Sequence, residues 1–310
     1  MTKIAYSLTI LSATLVCALY AAPAQARARV FVASYGNDAN PCTFGSPCKT
    51  FQHAVDVVDA GGEVTAIDSA GFGPFAIGKS VTITSPDGVE AGIVPNEGGD
   101  GIDIYAGPSD TIVLRGLTID GSGGAFNGIV FHSGGSLTVT NCVVQHFYVQ
   151  AGFDNVLGYG ILIAPTSSTA RFAITNTMVL NNAYGILADA NGVVDHVVMT
   201  SNQAFGIASD SGQGVVAISN SVVSNSDQDG IDAGAALTSI DNVSVVNNGG
   251  YGIVASGAAK VLLGRSVITG NSVGISNQTS SNSFFTYKDN RIYGNITDIS
   301  SPLNTTVPVQ

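Results

Sequence analysis

"NSVVSNSDQDGIDAGAALTSIDNVSVVNNGGYGIVASGAAKVLLGRSVITGNSVGISN", residues 220–277, repeats itself with small changes. Its Gly-Ile pairs belong to a longer ladder: Gly101-Ile102, Gly128-Ile129, Gly160-Ile161, Gly185-Ile186, Gly206-Ile207, Gly230-Ile231, Gly252-Ile253 and Gly274-Ile275, spaced 27, 32, 25, 21, 24, 22 and 22 residues apart. A second ladder, Asn182, Asn202, Asn225, Asn248, Asn271 and Asn295, runs at 20 to 24 residues. Two ladders at one period define a structural repeat. Each unit reads as a short β-branched strand, such as Asn220 to Asn225, an Asn-bearing turn, and a second short strand, such as Tyr251 to Ser256. No unit has room for a ten-residue helix, so equivalent strands must be parallel and joined by turns alone. The coiled solution is an all-β, single-stranded parallel β-helix, right-handed by the usual preference of parallel crossovers, with rungs about 4.8 Å apart.

With each Ile turned inward, the residue two further on is also inward, while those one and three further on face solvent. Gly and Asn suit the turns because both tolerate left-handed backbone, and Asn can bond its copy one rung above. A coil also has an exposed end. "SPCKTFQHAVDVVDAGG" (Ser46 to Gly62) places Phe51, Ala54, Val55 and Val58 on one helical face, with Ser46-Pro47 as start and Gly61-Gly62 as stop. A capping helix over the amino-terminal end is expected, with His53 on its solvated side.

The first 28 residues combine Lys3, an apolar run from Ile10 to Ala22, and the small-residue segment "AQARA" (Ala24 to Ala28), the pattern of a secretory signal peptide. An exported chain, secreted, periplasmic or at the cell surface, is expected. No later stretch approaches the roughly 20 apolar residues of a membrane span. The expected organisation is a signal peptide (1–28), an opening strand, cysteine loop and capping helix (29–62), the β-helix (63–300) and a short carboxy-terminal extension (301–310). The formal net charge of −11 makes nucleic acid an unsuitable partner. It also disfavours polyanions unless a cation or basic groove intervenes. A monomer is expected. The spacing of Cys42 and Cys48 fits a metal or redox site in a reducing compartment and a small structural disulfide in an oxidising one. Export selects the second.

"VFVASYGNDANPCTFGSPCKTFQHAV", residues 30–55, resembles the opening segment of secreted bacterial right-handed β-helix proteins of the pectin-lyase-like superfamily, which read as strand, "GND-x-NPGT", "P-F-K-T" and capping helix. With the two ladders, the resemblance covers nearly all of the chain beyond residue 28. Cys42 and Cys48 stand where that pattern has Gly and Phe, and the paired replacement implies a disulfide between them. The superfamily includes polysaccharide lyases, glycoside hydrolases, epimerases and adhesive proteins, so the resemblance implies a fold more than an activity. Hydrolase signatures of that superfamily, N-T-D, adjacent aspartates, G-H-G and R-I-K, are not intact: "DQDG" (Asp227 to Gly230) splits the aspartates and "NRIYGN" (Asn290 to Asn295) lacks the Lys. "VDHVV" (Val194 to Val198) falls in a regular repeat position.

Counting outward positions from Gly128 onward puts Asp189, Asp210 and Asp232 on three consecutive rungs of one face, with His132 on the same face. Like charges about 5 Å apart repel by about 0.8 kcal/mol in water. Such a stripe is either fully hydrated or holds a cation or shared proton. Asp189, Asp210 and Asp232 are therefore candidate Ca2+ ligands and, with His132, candidate catalytic groups. Arg171, Lys260 and Arg265 belong to another strand set. The 32-residue step from Gly128 to Gly160 holds an insertion (145–158) in which His146, Tyr148, Phe153 and Asp154 are candidate ligand contacts. Aromatics just before the repeat Gly, Tyr159, Tyr184, Phe205 and Tyr251, form a column read as stacked packing, with an exposed sugar platform as the alternative. Cys142 reads as a buried small hydrophobe. The leading functional reading is a cation-assisted contact with extracellular or cell-envelope polysaccharide. A polysaccharide lyase or glycoside hydrolase, and a non-catalytic scaffold or adhesin, are the alternatives.

Overall fold

The computed structural model describes residues 28–122, 124–148, 158–209, 214–280 and 283–304. The region read as a signal peptide lies outside them, apart from Ala28. Three parallel sheets of 11, 10 and 10 strands wrap one coil, and each sheet takes every third strand of the β-helix in turn. The rungs thus carry three strands, not the two expected. "VVAISNSVVS" looks like one run, but it holds Val215–Ser219 of the first sheet and Val222–Ser224 of the second. Asn220, at φ 48°, turns the chain between them. A second left-handed residue, Asn225 at φ 56°, precedes the third-sheet strand Asp229–Ala233.

The repeat Ile residues stack in register along the third sheet from Ile102 to Ile275. All eight are buried and form the spine of the core. The preceding Gly is required by close approach: a Cβ at Gly230 would lie 2.6 Å from the Gly252 carbonyl oxygen and 2.8 Å from Asn248 Nδ2. Beside this spine runs the amide ladder. Asn248 donates its N–H and Nδ2 to Asn271 Oδ1, both at 2.9 Å, and Asn271 repeats the pattern onto Asn295. Asn225 is not part of it. The inward position of that rung is Ser226, one residue later, because Asn225 occupies the left-handed corner. Cys142 is fully buried, and burial pushes its thiol up to about 11, as expected of a small core residue.

The capping helix, α1 (Phe51–Val57), is shorter than expected and begins at Thr50, whose hydroxyl accepts the His53 N–H. Ser46-Pro47 cannot start it, because Ser46 bridges back to Thr43 and Cys48 pairs with Val32 of the opening strand Arg29–Val32. Asp38 fixes the junction by accepting from the Lys49 and Thr50 backbone and from the Thr50 hydroxyl. Phe51 packs on Phe72 and Phe75 with ring centroids 5.0 and 5.2 Å away. Cys42 and Cys48 form the disulfide implied by the resemblance. The two sulfurs and the His53 ring lie close together, but the sulfurs are bonded to each other and cannot ligate a metal. Among the described residues no helix is long and apolar enough to cross a membrane.

Candidate functional site

The outer face of the third sheet collects the polar and aromatic groups. The residue before each repeat Gly forms one row: Asp100, Asn127, Tyr159, Tyr184, Phe205, Asp229, Tyr251. The residue two after it forms another, in register: Asp103, Val130, Leu162, Leu187, Ala208, Asp232, Val254. Val130, Ala208 and Val254 belong to this outward row yet are buried, so the larger neighbours on either side stand as walls and the face is a trough. Within it, Tyr159 and Tyr184 ring centroids are 5.0 Å apart, and Tyr184 and Phe205 again 5.0 Å, one ring per rung. A depression of about 170 Å³ lies beside these rings, lined by Tyr159, Leu187, Phe205, Ala208, Ser209, Asp232, Gly234 and Ser256.

Carboxylates stand at both ends of the aromatic stretch. At one end Asp103 Oδ1 lies 3.0 Å from His132 Nε2. The His132 ring lies flat on Tyr105, centroids 4.1 Å apart and planes within 5°. A register shift between Phe131 and Ser133 bulges the strand here and aims His132 over the neighbouring rung. A carboxylate only accepts, so the imidazole nitrogen facing Asp103 carries the hydrogen and the neutral ring presents Nδ1 as an acceptor. Next to this pair, burial raises the Asp100 pKa; the Asn127 side chain opposes that shift and the Asp103 charge adds to it. Asp100 accepts Asn127 N–H and Nδ2, and Asn127 Oδ1 accepts the Tyr159 N–H, so this carboxyl also anchors the next rung. At the other end Asp229 accepts the Tyr251 N–H, and burial raises its pKa as well.

Of the residues singled out in the sequence, Asp232 and His132 are on this face. Asp189 follows the strand Tyr184–Ala188 and lines a different depression with Pro165, Thr166, Ser167, Ser168 and Asn191. Asp210 lies outside the described residues, as do Phe153 and Asp154. His146 is a left-handed corner residue whose Nδ1 is 3.1 Å from Asp120 Oδ1. Burial raises the Asp120 pKa, but the Gln145, Ser122 and His146 donors outweigh it and hold the carboxyl low. Tyr148 stands beside His146, centroids 6.4 Å apart, and Phe147 between them is core. Arg171 lies in the first sheet, and Arg265 pairs with Asp241 beyond the first sheet's edge, so neither reaches this face.

Asp100, Asp103 and Tyr105 were not anticipated. Starting the same count at Gly101 would have placed Asp103 two on, Tyr105 four on and Asp100 one before. The pairing of Asp103 with His132 was not legible, because it depends on a bulge that the repeat period does not encode.

A family model described as "Right handed beta helix region" matches residues 184–301. Among solved structures, the chain is similar to pectate lyase Pel9A, at 13% identity and a TM-score of 0.55 over 83% of this chain and 74% of that one. It is also similar to a rhamnogalacturonan lyase, at 11% identity and a TM-score of 0.39 over 90% and 89% of the two chains. A GH136 lacto-N-biosidase from Eubacterium ramulus aligns at 12% identity and a TM-score of 0.38 over 89% and 67%. No curated protein sequence matches this chain. Three stacked parallel sheets, the buried Ile spine and the first of these likenesses agree: the chain is a right-handed parallel β-helix protein with the pectin-lyase-like fold.

Proposed function

We propose that this is an exported protein whose third-sheet trough contacts extracellular or cell-envelope polysaccharide. The aromatic ladder Tyr159, Tyr184 and Phe205 carries the reading, because it offers one ring per rung along a trough bounded by hydrogen-bond acceptors. Aromatic faces pack against apolar C–H surfaces, and carboxylates accept from hydroxyls, so the two together suit a linear sugar chain. The likeness to a pectate lyase fold supports a carbohydrate partner, and the Cys42–Cys48 disulfide supports an oxidising compartment. Asp189 and Asp232 line separate depressions, so Ca2+ is no part of this proposal. Titration of the chain with oligosaccharides by calorimetry tests it. Phe205→Ala should weaken binding about 5-fold, the loss of one aromatic contact of about 1 kcal/mol. Unchanged affinity in Phe205→Ala and Tyr184→Ala would remove the ladder from the reading.

A second reading, a polysaccharide-cleaving enzyme, is favoured by the Asp103–His132 pair. A carboxylate-oriented imidazole with a free acceptor nitrogen is an arrangement for general base work. His132→Gln would then abolish depolymerisation and leave oligosaccharide affinity within about 2-fold. Asp103→Asn would lower the rate and move the pH profile, because it alters the charge that holds the imidazolium. Retained cleavage in His132→Gln would end this reading while leaving the binding one intact.

A further inference from the structure

The ten strands of the third sheet contain no Lys and no Arg. Their outward rows carry Asp100, Asp103, Asp229 and Asp232. Five strand steps separate the strand Ile102–Tyr105 from the strand Asp229–Ala233, or about 24 Å, and the aromatic ladder fills the interval. A polyuronate laid along this trough would bring a carboxylate to every sugar and meet only like charge. A neutral glycan would gain the stacking but nothing from the charge. A glycan carrying protonated amines gains both.

We infer that the trough selects an amine-bearing polysaccharide, a polymer of sugars with unacetylated amino groups, over neutral and uronate polymers. This rests on the proposed carbohydrate contact of the same face. Acceptors at the two ends of an apolar platform fix the spacing at which ammonium groups are held, and the platform carries the intervening ring faces. The inference also separates this chain from the pectate lyase whose fold it shares, since that protein's printed name denotes an anionic substrate.

The test compares three oligosaccharides of equal length by calorimetry at low and physiological salt: glucosamine, N-acetylglucosamine and galacturonate oligomers. The first two differ only in the acetylated amine. The glucosamine oligomer is expected to bind about 10-fold more tightly than its acetylated form at low salt, with the gap narrowing as salt rises. Asp103→Asn with Asp232→Asn should reduce that gap to about 2-fold and leave the acetylated oligomer unaffected. Removing two exposed carboxylates elsewhere, Asp59→Asn with Asp87→Asn, should change it little and so discounts general attraction to an acidic protein. Equal or weaker binding of the glucosamine oligomer overturns the amine preference while the carbohydrate contact stands. Amine preference unchanged by the Asp103 and Asp232 substitutions overturns its assignment to this trough. Binding of none of the three, in the intact chain, overturns both the inference and the reading beneath it.

Discussion

Ser226 occupies the inward amide column between Asn202 and Asn248, and its buried hydroxyl has no hydrogen-bond partner. The Ser226 N–H already donates to Asn248 Oδ1, so only the side chain is deficient. In the flanking rungs an Asn accepts the backbone N–H of the rung before it and donates Nδ2 to a strand carbonyl, as Asn202 does to Val179. Ser226→Asn would supply both bonds, each with a net worth of about 1 kcal/mol, against the entropy of ordering a longer side chain. A net gain of about 1 kcal/mol is expected in the urea unfolding midpoint, and an unchanged or lower midpoint would show that the column has no room for the amide. Asp195 makes a pH-dependent contribution of its own. Ser219 Oγ at 2.6 Å, the His196 ring and Asn220 Nδ2 hold its pKa down to about 2. A carboxyl depressed in the folded state stabilises above its unfolded value, about 3.9, and that contribution is lost as pH falls from about 4 through 2. The stability gap between the intact chain and Asp195→Asn should be full at pH 6 and shrink below pH 4; a gap independent of pH would remove this assignment.

At the scale of elements, the amino-terminal cap is held by two local devices that act on different states of the chain. Thr50 satisfies a helix N–H in the folded form, so Thr50→Ala should cost about 1 kcal/mol. The disulfide closes a very short loop and restrains chiefly the unfolded chain. Cys42→Ser should therefore raise protease cleavage between residues 34 and 62 and leave cleavage in distant rungs unchanged; uniform sensitisation along the coil would contradict a local cap. The helix face was legible because Phe51, Ala54 and Val55 recur at helical spacing, and all three are buried. Its start was not, since Ser46 has the chemistry of a cap but is taken by the bridge to Thr43. The third strand of each rung was hidden for a related reason. A corner made by one left-handed Asn leaves no gap in a β-branched run, so two strands of different sheets read as one.

The whole molecule is a stack in which each rung touches chiefly its neighbours, so stability is close to a sum of rung and interface contributions. That is why the fold was visible from period alone: every rung must solve the same packing problem, and the Gly-Ile pair is its repeated solution. The trough was only partly visible, because outward residues are free to vary and carry no period; Asp232 emerged from alternation, whereas the Asp103–His132 pair required coordinates. The same nearest-neighbour logic predicts how damage spreads. Ile231 is buried near the middle of the spine, and Ile299, one of the last residues in the third sheet, is 45% exposed. Ile231→Ala removes a core side chain, costs about 2–5 kcal/mol and weakens interfaces on both sides. Amide exchange should accelerate in the strands Phe205–Ser209 and Tyr251–Gly257 alike. Ile299→Ala loses contacts on one side only and gives up little buried surface, so protection in the central rungs should stay as it was. Equal losses of central protection in the two variants would mean that the coil unfolds as one indivisible unit, in which case the position of a defect along the stack has no energetic meaning.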